Sequence, residues 1–433
     1  MDTFNSIITV IFLLLGIGVF LHATKGDFFD TLSPAHFIAL GFYYYFFIPT
    51  ALYAFEPWRN YTGFSILLAW GICFSGYLAA LYAVPIRFKF LSRSYIGRLL
   101  QPEVYSPLIV LIAVPANWVV SNLARLAGGG EGGFAGQLLS LATQGTHVLP
   151  LVAACSSRCF KNRWLQVAFV LFTTFLLLLQ VFIFEGSERR TIIRITLFAM
   201  LGIHFFISKI SYKTIVICII CAMPLIYILR IEQAAKSWYG SSITQLSIED
   251  FGEIETRWRD SYDGDLFTAF LASSDNAVAY DNTLLIVDHI GVSRYVWGLS
   301  YGRVFISLIP RSLWWNKPVS LISRIRHELP VASKSPHQSI SLLGEAWWNF
   351  GPVGIILIPF VLSGMLKGLH SEAGIRARAG PSVGYCVVAP YFLENFRGGF
   401  GQISLTLVAA FFFMILFALA SRYLVPNQLT AKS

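Results

Sequence analysis

The residues of this chain with the clearest chemistry are cations placed where apolar stretches begin or end. Arg190 and Arg194 are four residues apart, so a helix would present both on one face. A guanidinium group binds phosphate through two parallel hydrogen bonds, whereas a lysine ammonium acts as a point charge. The candidate phosphate-binding residues are Arg189, Arg190, Arg194, Arg303, Arg311, Lys317 and Arg397. Cations from several separate segments would suit a diphosphate, and the alternative is ion pairing with Glu185, Glu188 or Glu394.

His337 and Glu345 are the candidate catalytic residues. A neutral imidazole has a pKa near about 6.5, so His337 is able to take a proton from a hydroxyl group. Glu345 follows shortly after, beside two tryptophans, and its carboxylate would orient that base or act as the base itself. The alternatives are an interface histidine and a glutamate that caps a helix or pairs with a cation. Three histidines lie inside apolar stretches without an acidic partner at metal-ligand spacing, which predicts packed or hydrogen-bonded side chains: His36, His147 and His204.

The composition indicates that membrane helices position these residues. Of the 433 residues, 56% are hydrophobic and only 13% are charged, against about 25% charged in an ordinary soluble domain. Many apolar runs approach about 20 residues, the length that crosses a hydrocarbon core of about 30 Å. The chain is therefore predicted to be an all-α, polytopic transmembrane helix bundle. Its net charge of +9 reports membrane topology rather than nucleic-acid binding.

The apolar runs predict about eleven spans and one long polar segment. The spans cover residues 3–21, 34–55, 63–85, 106–123, 137–156, 164–184, 192–208, 214–229, 351–369, 382–393 and 402–420. Residues 1–230 then hold the first eight spans, and residues 351–433 hold the last three and a short cytoplasmic tail. Between them, residues 231–350 are predicted to form a long external loop containing amphipathic or re-entrant helices.

The charges of the short loops predict the orientation. Lys and Arg residues, including Arg87, Arg158 and Lys209, are concentrated in alternate short loops, and that side is predicted to face the cytoplasm. The long loop and the candidate site residues then lie on the outer face. The outer segments contain no HExxH sequence and the chain contains no Walker sequence, so no metal or cofactor is predicted.

Several short strings together resemble one family of membrane enzymes. They are Gly298-Leu-Ser-Tyr-Gly-Arg303, Ile309-Pro-Arg311, Trp315, Lys317-Pro318, Gly344-Glu345 and Asn349-Phe350-Gly351. This pattern resembles that of the Wzy-type O-antigen polymerases and oligosaccharide repeat-unit polymerases. His337-Gln338 at the entry to an apolar run is similar to the His-Asn element of the related O-antigen ligases, with Gln in place of Asn.

The resemblance implies a glycosyltransferase in the bacterial inner membrane, with its active site facing the periplasm. Such enzymes move a growing glycan from undecaprenyl diphosphate onto a hydroxyl group of a new lipid-linked repeat unit, without a metal or nucleotide cofactor. Its partners would be the undecaprenyl-diphosphate-linked donor and acceptor, membrane lipid and a co-polymerase that regulates chain length. The arginines would then hold the diphosphate, and His337 or Glu345 would deprotonate the acceptor.

Two other functions stay open on the sequence. An O-antigen ligase would move the finished glycan to a different acceptor. A flippase or transporter for a lipid-linked oligosaccharide would need charged residues through the middle of the membrane. The clustering of charge at the outer boundary, with Arg194 the deepest cation, favours surface chemistry over passage.

Overall fold

Among the described residues, helices form where the apolar runs predict them. A computed structural model describes residues 3–24, 32–55, 66–86, 99–126, 133–184, 189–218, 248–260, 275–307, 321–329, 339–375 and 380–424, with single positions between 220 and 235 and positions 314 and 316. Within those ranges the chain is all-helical and no residue lies in a β-strand.

Besides two short 3₁₀ turns and helical residues at 212–218, the described residues up to the long polar segment form nine α-helices and two π-helical stretches. They are α1 (Thr3–Ala23), α2 (Pro34–Phe42), π1 (Tyr43–Phe47), α3 (Ile48–Phe55), α4 (Ile66–Leu81), α5 (Pro107–Leu126), α6 (Gly133–Thr146), α7 (Leu149–Ser156), α8 (Arg163–Phe184), α9 (Arg189–Gly202) and π2 (Ile203–Ile207). Because α2, π1 and α3 follow one another without a break, the second predicted span is one helix with a widened turn in its middle.

Besides a 3₁₀ turn at Val292–Arg294, the remaining described residues form eight α-helices with defined bounds. They are α10 (Ile248–Asp260), α11 (Asp275–His289), α12 (Leu299–Ser307), α13 (Leu321–Glu328), α14 (Leu342–Phe350), α15 (Pro352–Ile375), α16 (Gly380–Gly398) and α17 (Phe400–Leu424). Gly351 separates α14 from α15 with a φ of 61°, and Pro352 starts the next helix. This order of glycine after one helix and proline at the start of another is favoured because glycine tolerates positive φ and proline needs no N–H partner.

Eight helical segments in the described part of the chain are long and apolar enough to cross a membrane. They are Asn5–Ala23, Pro34–Leu52, Pro107–Leu126, Leu138–Cys159, Arg163–Ile183, Arg190–Ile207, Pro352–Ser371 and Ile403–Tyr423. Each coincides with a predicted span. The third predicted span is the 16-residue helix α4, and the tenth is longer than predicted, because α16 has 19 residues. The eighth lies largely outside the described residues, so the count of about eleven and the loop between the spans stay predictions.

Close helix packing places α16 at the centre of the bundle. α16 packs against α2, α9, α15 and α17, and its residues from Val383 to Asn395 are almost all buried. By contrast, α1 and α8 leave many large apolar side chains exposed, as expected for side chains that face lipid. α9, which carries Arg190 and Arg194, is therefore held against an interior helix, and Arg397 lies on that interior helix itself.

A closed polar network holds α5, α6 and α8 together inside the apolar bundle. Asn117 donates to Gln180 Oε1 at 3.0 Å and accepts from Thr146 at 2.6 Å. Gln180 in turn donates to Ser121 Oγ at 2.5 Å, and Ser121 donates to Thr143 at 3.4 Å. Polar side chains that hydrogen-bond across helices stabilise packing within membranes, because lipid offers no alternative partner. The network fixes the end of α6, from which His147 follows.

Glycine at position 41 is predicted to be essential for the contact between α2 and α16. A Cβ at Gly41 would come within 2.4 Å of the Phe396 ring, whereas a Cβ at Gly71 of α4 meets no atom within 4 Å. Gly41→Ala is therefore expected to cost about 1–3 kcal/mol through overpacking, and Gly71→Ala to leave stability equal or slightly higher. Thermal unfolding of both variants in detergent tests this, and equal midpoints would contradict the close approach.

Candidate active site

Glu345 joins α14 to the first turn of α17. It lies in the first turn of α14, with 1% of its surface exposed, and its Oε2 accepts a hydrogen bond from the backbone N–H of Phe400. Phe400 is the first residue of α17, so this N–H has no acceptor within its own helix. A carboxylate is favoured there by both the hydrogen bond and the helix dipole. The structure thus gives Glu345 the capping role that the sequence left open as an alternative to catalysis.

Gly399 makes the close approach of Glu345 to α17 possible. It separates α16 from α17 with a φ of 65°, a conformation that side chains other than glycine rarely adopt. A Cβ at this position would lie 2.5 Å from Glu345 Oε2 and 3.1 Å from the carbonyl oxygen of Ile340. Its own N–H donates to the carbonyl of Asn395 at 3.1 Å, which ends α16. The Glu345 carboxylate therefore lies directly against the backbone of Gly399, at the junction of α16 and α17.

Asn349 ties the same joint to α12. Its side-chain Nδ2 donates to Ser300 Oγ and to the carbonyl oxygen of Glu345, each at 2.7 Å, and its Oδ1 accepts from the N–H of Gly298 at 2.9 Å. Gly298 has a φ of 84°, which turns the chain into α12. Gly298, Ser300, Glu345 and Asn349, which belong to three of the short strings that resemble the polymerase pattern, thus meet in space. Here they form a structural joint between α12, α14 and α17, which we name the Glu345 joint.

A buried ion pair lies beside this joint. Arg194 of α9 donates to Glu394 of α16 with Nε to Oε1 at 2.7 Å and with its second terminal nitrogen to Oε2 at 2.9 Å. The guanidinium also lies 4.9 Å from the centroid of the Tyr391 ring and 3.5 Å from His147 Nδ1. For Arg194, ion pairing with Glu394 is therefore the structural role. Because both side chains are buried, water cannot readily solvate either charge if its partner is removed.

Two further arginines lie around the ion pair. Arg190 is one helical turn before Arg194, and Arg397 is one turn after Glu394; both are half-buried. Both act electrostatically on Tyr45 of π1, as does Glu394. The structure therefore brings Arg190, Arg194 and Arg397 of the predicted set together from α9 and α16. We name these residues, with Glu394, His147 and Tyr45, the arginine cluster.

The other predicted site residues have no described side-chain position. Arg189 begins α9 and Arg303 lies in α12, but their side chains lie outside the described part of the structure. Arg311, Lys317 and His337 lie wholly outside the described residues. Their assignment to the site stays a prediction.

Tyr45 is the member of the arginine cluster that the sequence did not reveal. It belongs to a Tyr43-Tyr44-Tyr45 run inside an otherwise apolar span, and its ring stacks on Phe396 with a centroid separation of 6.3 Å. Three consecutive polar rings in a membrane span are a usable signal, and the π-helical turn that contains them is a second one, because such turns occur often at functional sites. His147 was expected to be packed or hydrogen-bonded, and it is both.

The described residues contain no group of three or more His, Cys, Asp or Glu side chains that could hold a metal ion. No protein-family model, no curated protein and no solved structure matches this chain.

Removal of one charge from the buried ion pair is predicted to destabilise the bundle strongly. Glu394→Gln leaves the buried Arg194 without its countercharge, which is expected to cost about 3–5 kcal/mol. The matched control is Glu103→Gln, because Glu103 pairs with Arg158 at 3.7 Å with both side chains partly exposed, and such a pair contributes only about 0–1 kcal/mol. Unfolding free energies measured in detergent compare the two. Equal losses would show that Arg194 and Glu394 are not paired inside the bundle.

Proposed function

We propose that this protein is a membrane glycosyltransferase that polymerises undecaprenyl-diphosphate-linked oligosaccharide repeat units on the outer face of the bacterial inner membrane. The observation that carries the proposal is the convergence of Arg190, Arg194 and Arg397 from two helices beside the Glu345 joint. Cations buried at the edge of a membrane bundle are costly unless they serve an ion pair or an anionic ligand. Arg194 binds Glu394, and Arg190 and Arg397 lie one turn away from that pair on the same two helices, so we assign the ligand to these two arginines.

The donor half of the site is the arginine cluster. The Arg194–Glu394 pair locks α9 against α16 and so sets the spacing between Arg190 and Arg397, which lie one turn away on either helix. Two guanidinium groups held in this way are suited to the oxygens of a diphosphate. They would also neutralise the charge that develops as the diphosphate leaves, an electrostatic role that needs no movement during the reaction. Arg189, Arg303, Arg311 and Lys317 would add to this half.

The acceptor half of the site adjoins the Glu345 joint. In the proposed reaction, a hydroxyl oxygen of the acceptor sugar forms a bond to the anomeric carbon of the donor glycan. The bond from that carbon to the diphosphate breaks, and its electron pair leaves with undecaprenyl diphosphate. The hydroxyl proton passes to a base. We assign that base to His337, because Glu345 already uses Oε2 to hold the Phe400 N–H.

Reconstitution with a defined lipid-linked repeat unit tests the proposed function. The wild-type protein in vesicles is expected to convert single repeats into a ladder of longer products. Arg397→Ala is expected to reduce this rate at least about tenfold, because one charge-assisted contact with the leaving group is lost. The control is Arg422→Ala, which removes an exposed arginine at the opposite end of α17.

Each other outcome of that experiment favours a different function. A wild-type protein that makes no ladder but attaches preformed glycan to another lipid would be a ligase. Movement of the intact lipid-linked repeat between leaflets without any new product would indicate a flippase. Equal rates for Arg397→Ala and Arg422→Ala would contradict the donor half as assigned.

The kinetic constants of two further variants test whether His337 is the catalytic base and Glu345 is the helix cap. His337→Ala is expected to lower kcat by about 100-fold or more, as for the loss of a general base. Glu345→Gln keeps an oxygen that accepts from the Phe400 N–H, so the fold is expected to survive and the main effect to fall on KM. The reverse pattern, a loss of kcat in Glu345→Gln alone, would make Glu345 the base.

A further inference from the structure

The hydroxyl group of Tyr301 is buried, and among the described residues it has no hydrogen-bond partner. A buried hydroxyl without a partner is costly, and most such groups in proteins are satisfied. The ring itself is held firmly: it stacks on Phe350 with an interplanar angle of 5° and a centroid separation of 6.3 Å. Because packing fixes the ring, the hydroxyl cannot readily turn toward a different partner.

The turn before α12 aims this tyrosine at the Glu345 joint. Gly298 accepts from the N–H of Tyr301 at 3.1 Å, and the positive φ of Gly298 sets the direction in which α12 starts. The Tyr301 ring centroid lies 5.8 Å from that of Phe400, the residue whose N–H is bound by Glu345. The carboxylate acts electrostatically on the phenol, yet no hydrogen bond joins them. Tyr301 and Glu345 therefore both lie beside the start of α17, on two different helices.

The protonation state of Tyr301 determines whether its hydroxyl group donates or accepts a hydrogen bond. Burial raises the pKa of the Tyr301 phenol well above its ordinary value, and the neighbouring Glu345 carboxylate raises it further. The phenol thus keeps its proton at neutral pH and is able to donate it in a hydrogen bond. A group that bridges the two residues must accept from Tyr301 and donate to the carboxylate, which only accepts.

A ligand hydroxyl meets both requirements, whereas an ionised phosphate and an ammonium group do not. An ionised phosphate accepts but has no proton to donate to Glu345, and its charge would be repelled by the carboxylate. An ammonium group donates but has no lone pair for Tyr301. A hydroxyl has one proton and two lone pairs, so it satisfies both sides. This chemistry separates the joint from the arginine cluster, which suits an anion.

We propose that Tyr301 and Glu345 together bind a hydroxyl group of the acceptor sugar. This inference rests on the proposed glycosyltransferase function and deepens it, because it gives the acceptor its own subsite beside the junction of α16 and α17. Tyr301 orients the sugar by donating a hydrogen bond from its phenol. Glu345 accepts a hydrogen bond from the bound hydroxyl while it caps α17, and His337 remains the base. The subsite recognises a neutral carbohydrate rather than the diphosphate.

The test is Tyr301→Phe in reconstituted vesicles, with a preformed lipid-linked oligomer as saturating donor and the single lipid-linked repeat unit varied as acceptor. Loss of one neutral hydrogen bond is expected to raise the acceptor KM about five- to tenfold. The concentration of donor that gives half the maximal rate is expected to stay within twofold. Tyr301→Phe retains the ring, so the stacking on Phe350 is preserved.

The matched control is Tyr105→Phe. The Tyr105 hydroxyl is also buried without a hydrogen-bond partner among the described residues, so the chemical change is the same. Tyr105 precedes Ser106, whose N–H donates to Ser421 near the end of α17, and this places it at the opposite end of that helix from Phe400. An unchanged acceptor KM in Tyr301→Phe, or an equal rise in Tyr105→Phe, would overturn the subsite. Absence of any ladder from the wild-type protein would instead overturn the proposed function itself.

Discussion

The bond from the Phe400 N–H to the Glu345 carboxylate is the contact on which this end of the bundle depends. At the start of a membrane helix, an N–H without a partner is expensive because lipid supplies no acceptor. The carboxylate satisfies it and also faces the positive end of the helix dipole. Gly399 is required because any larger residue would displace the carboxylate. Through this contact and through Asn349, α12, α14 and α17 are fixed relative to one another.

The end of α16 connects this joint to the arginine cluster. Glu394 binds Arg194, and Arg397 follows one turn later, just before Gly399 and Phe400. The last turns of α16 thus contact both parts of the proposed site, the cationic part through Glu394 and Arg397 and the neutral, hydroxyl-binding part through the junction at Gly399. In the proposed reaction, the leaving diphosphate and the incoming sugar need this proximity. A displacement of α16 would therefore disturb both halves together.

Local hydropathy predicted most of the membrane helices, because the length of an apolar run and the thickness of the hydrocarbon core are both known in advance. The boundaries of α16 were underestimated, because Glu394 and Arg397 mark the end of an apolar run although they continue the helix. The sequence also identified Glu345 and Arg194 as residues with special roles, together with the capping and ion-pair alternatives. It could not decide between those roles, since this requires knowing that Glu394 lies against α9. Tyr45 was missed because nothing in a single span reveals which of its faces will meet two arginines from other helices.

The pairing of Arg194 with Glu394 also has a consequence for biosynthesis. The two residues are 200 positions apart, so at about 5–20 residues per second the glutamate is synthesised roughly 10–40 s after the arginine. During that interval, α9 must enter or adjoin the bilayer before Arg194 is able to pair with Glu394, and an arginine in a membrane segment is costly. His147, which precedes Arg194 by 47 positions, is already present. Because α16 is synthesised late, its docking is the step at which Arg194 of α9 gains the countercharge of Glu394. The nascent bundle therefore depends on α16 to stabilise the earlier helix α9.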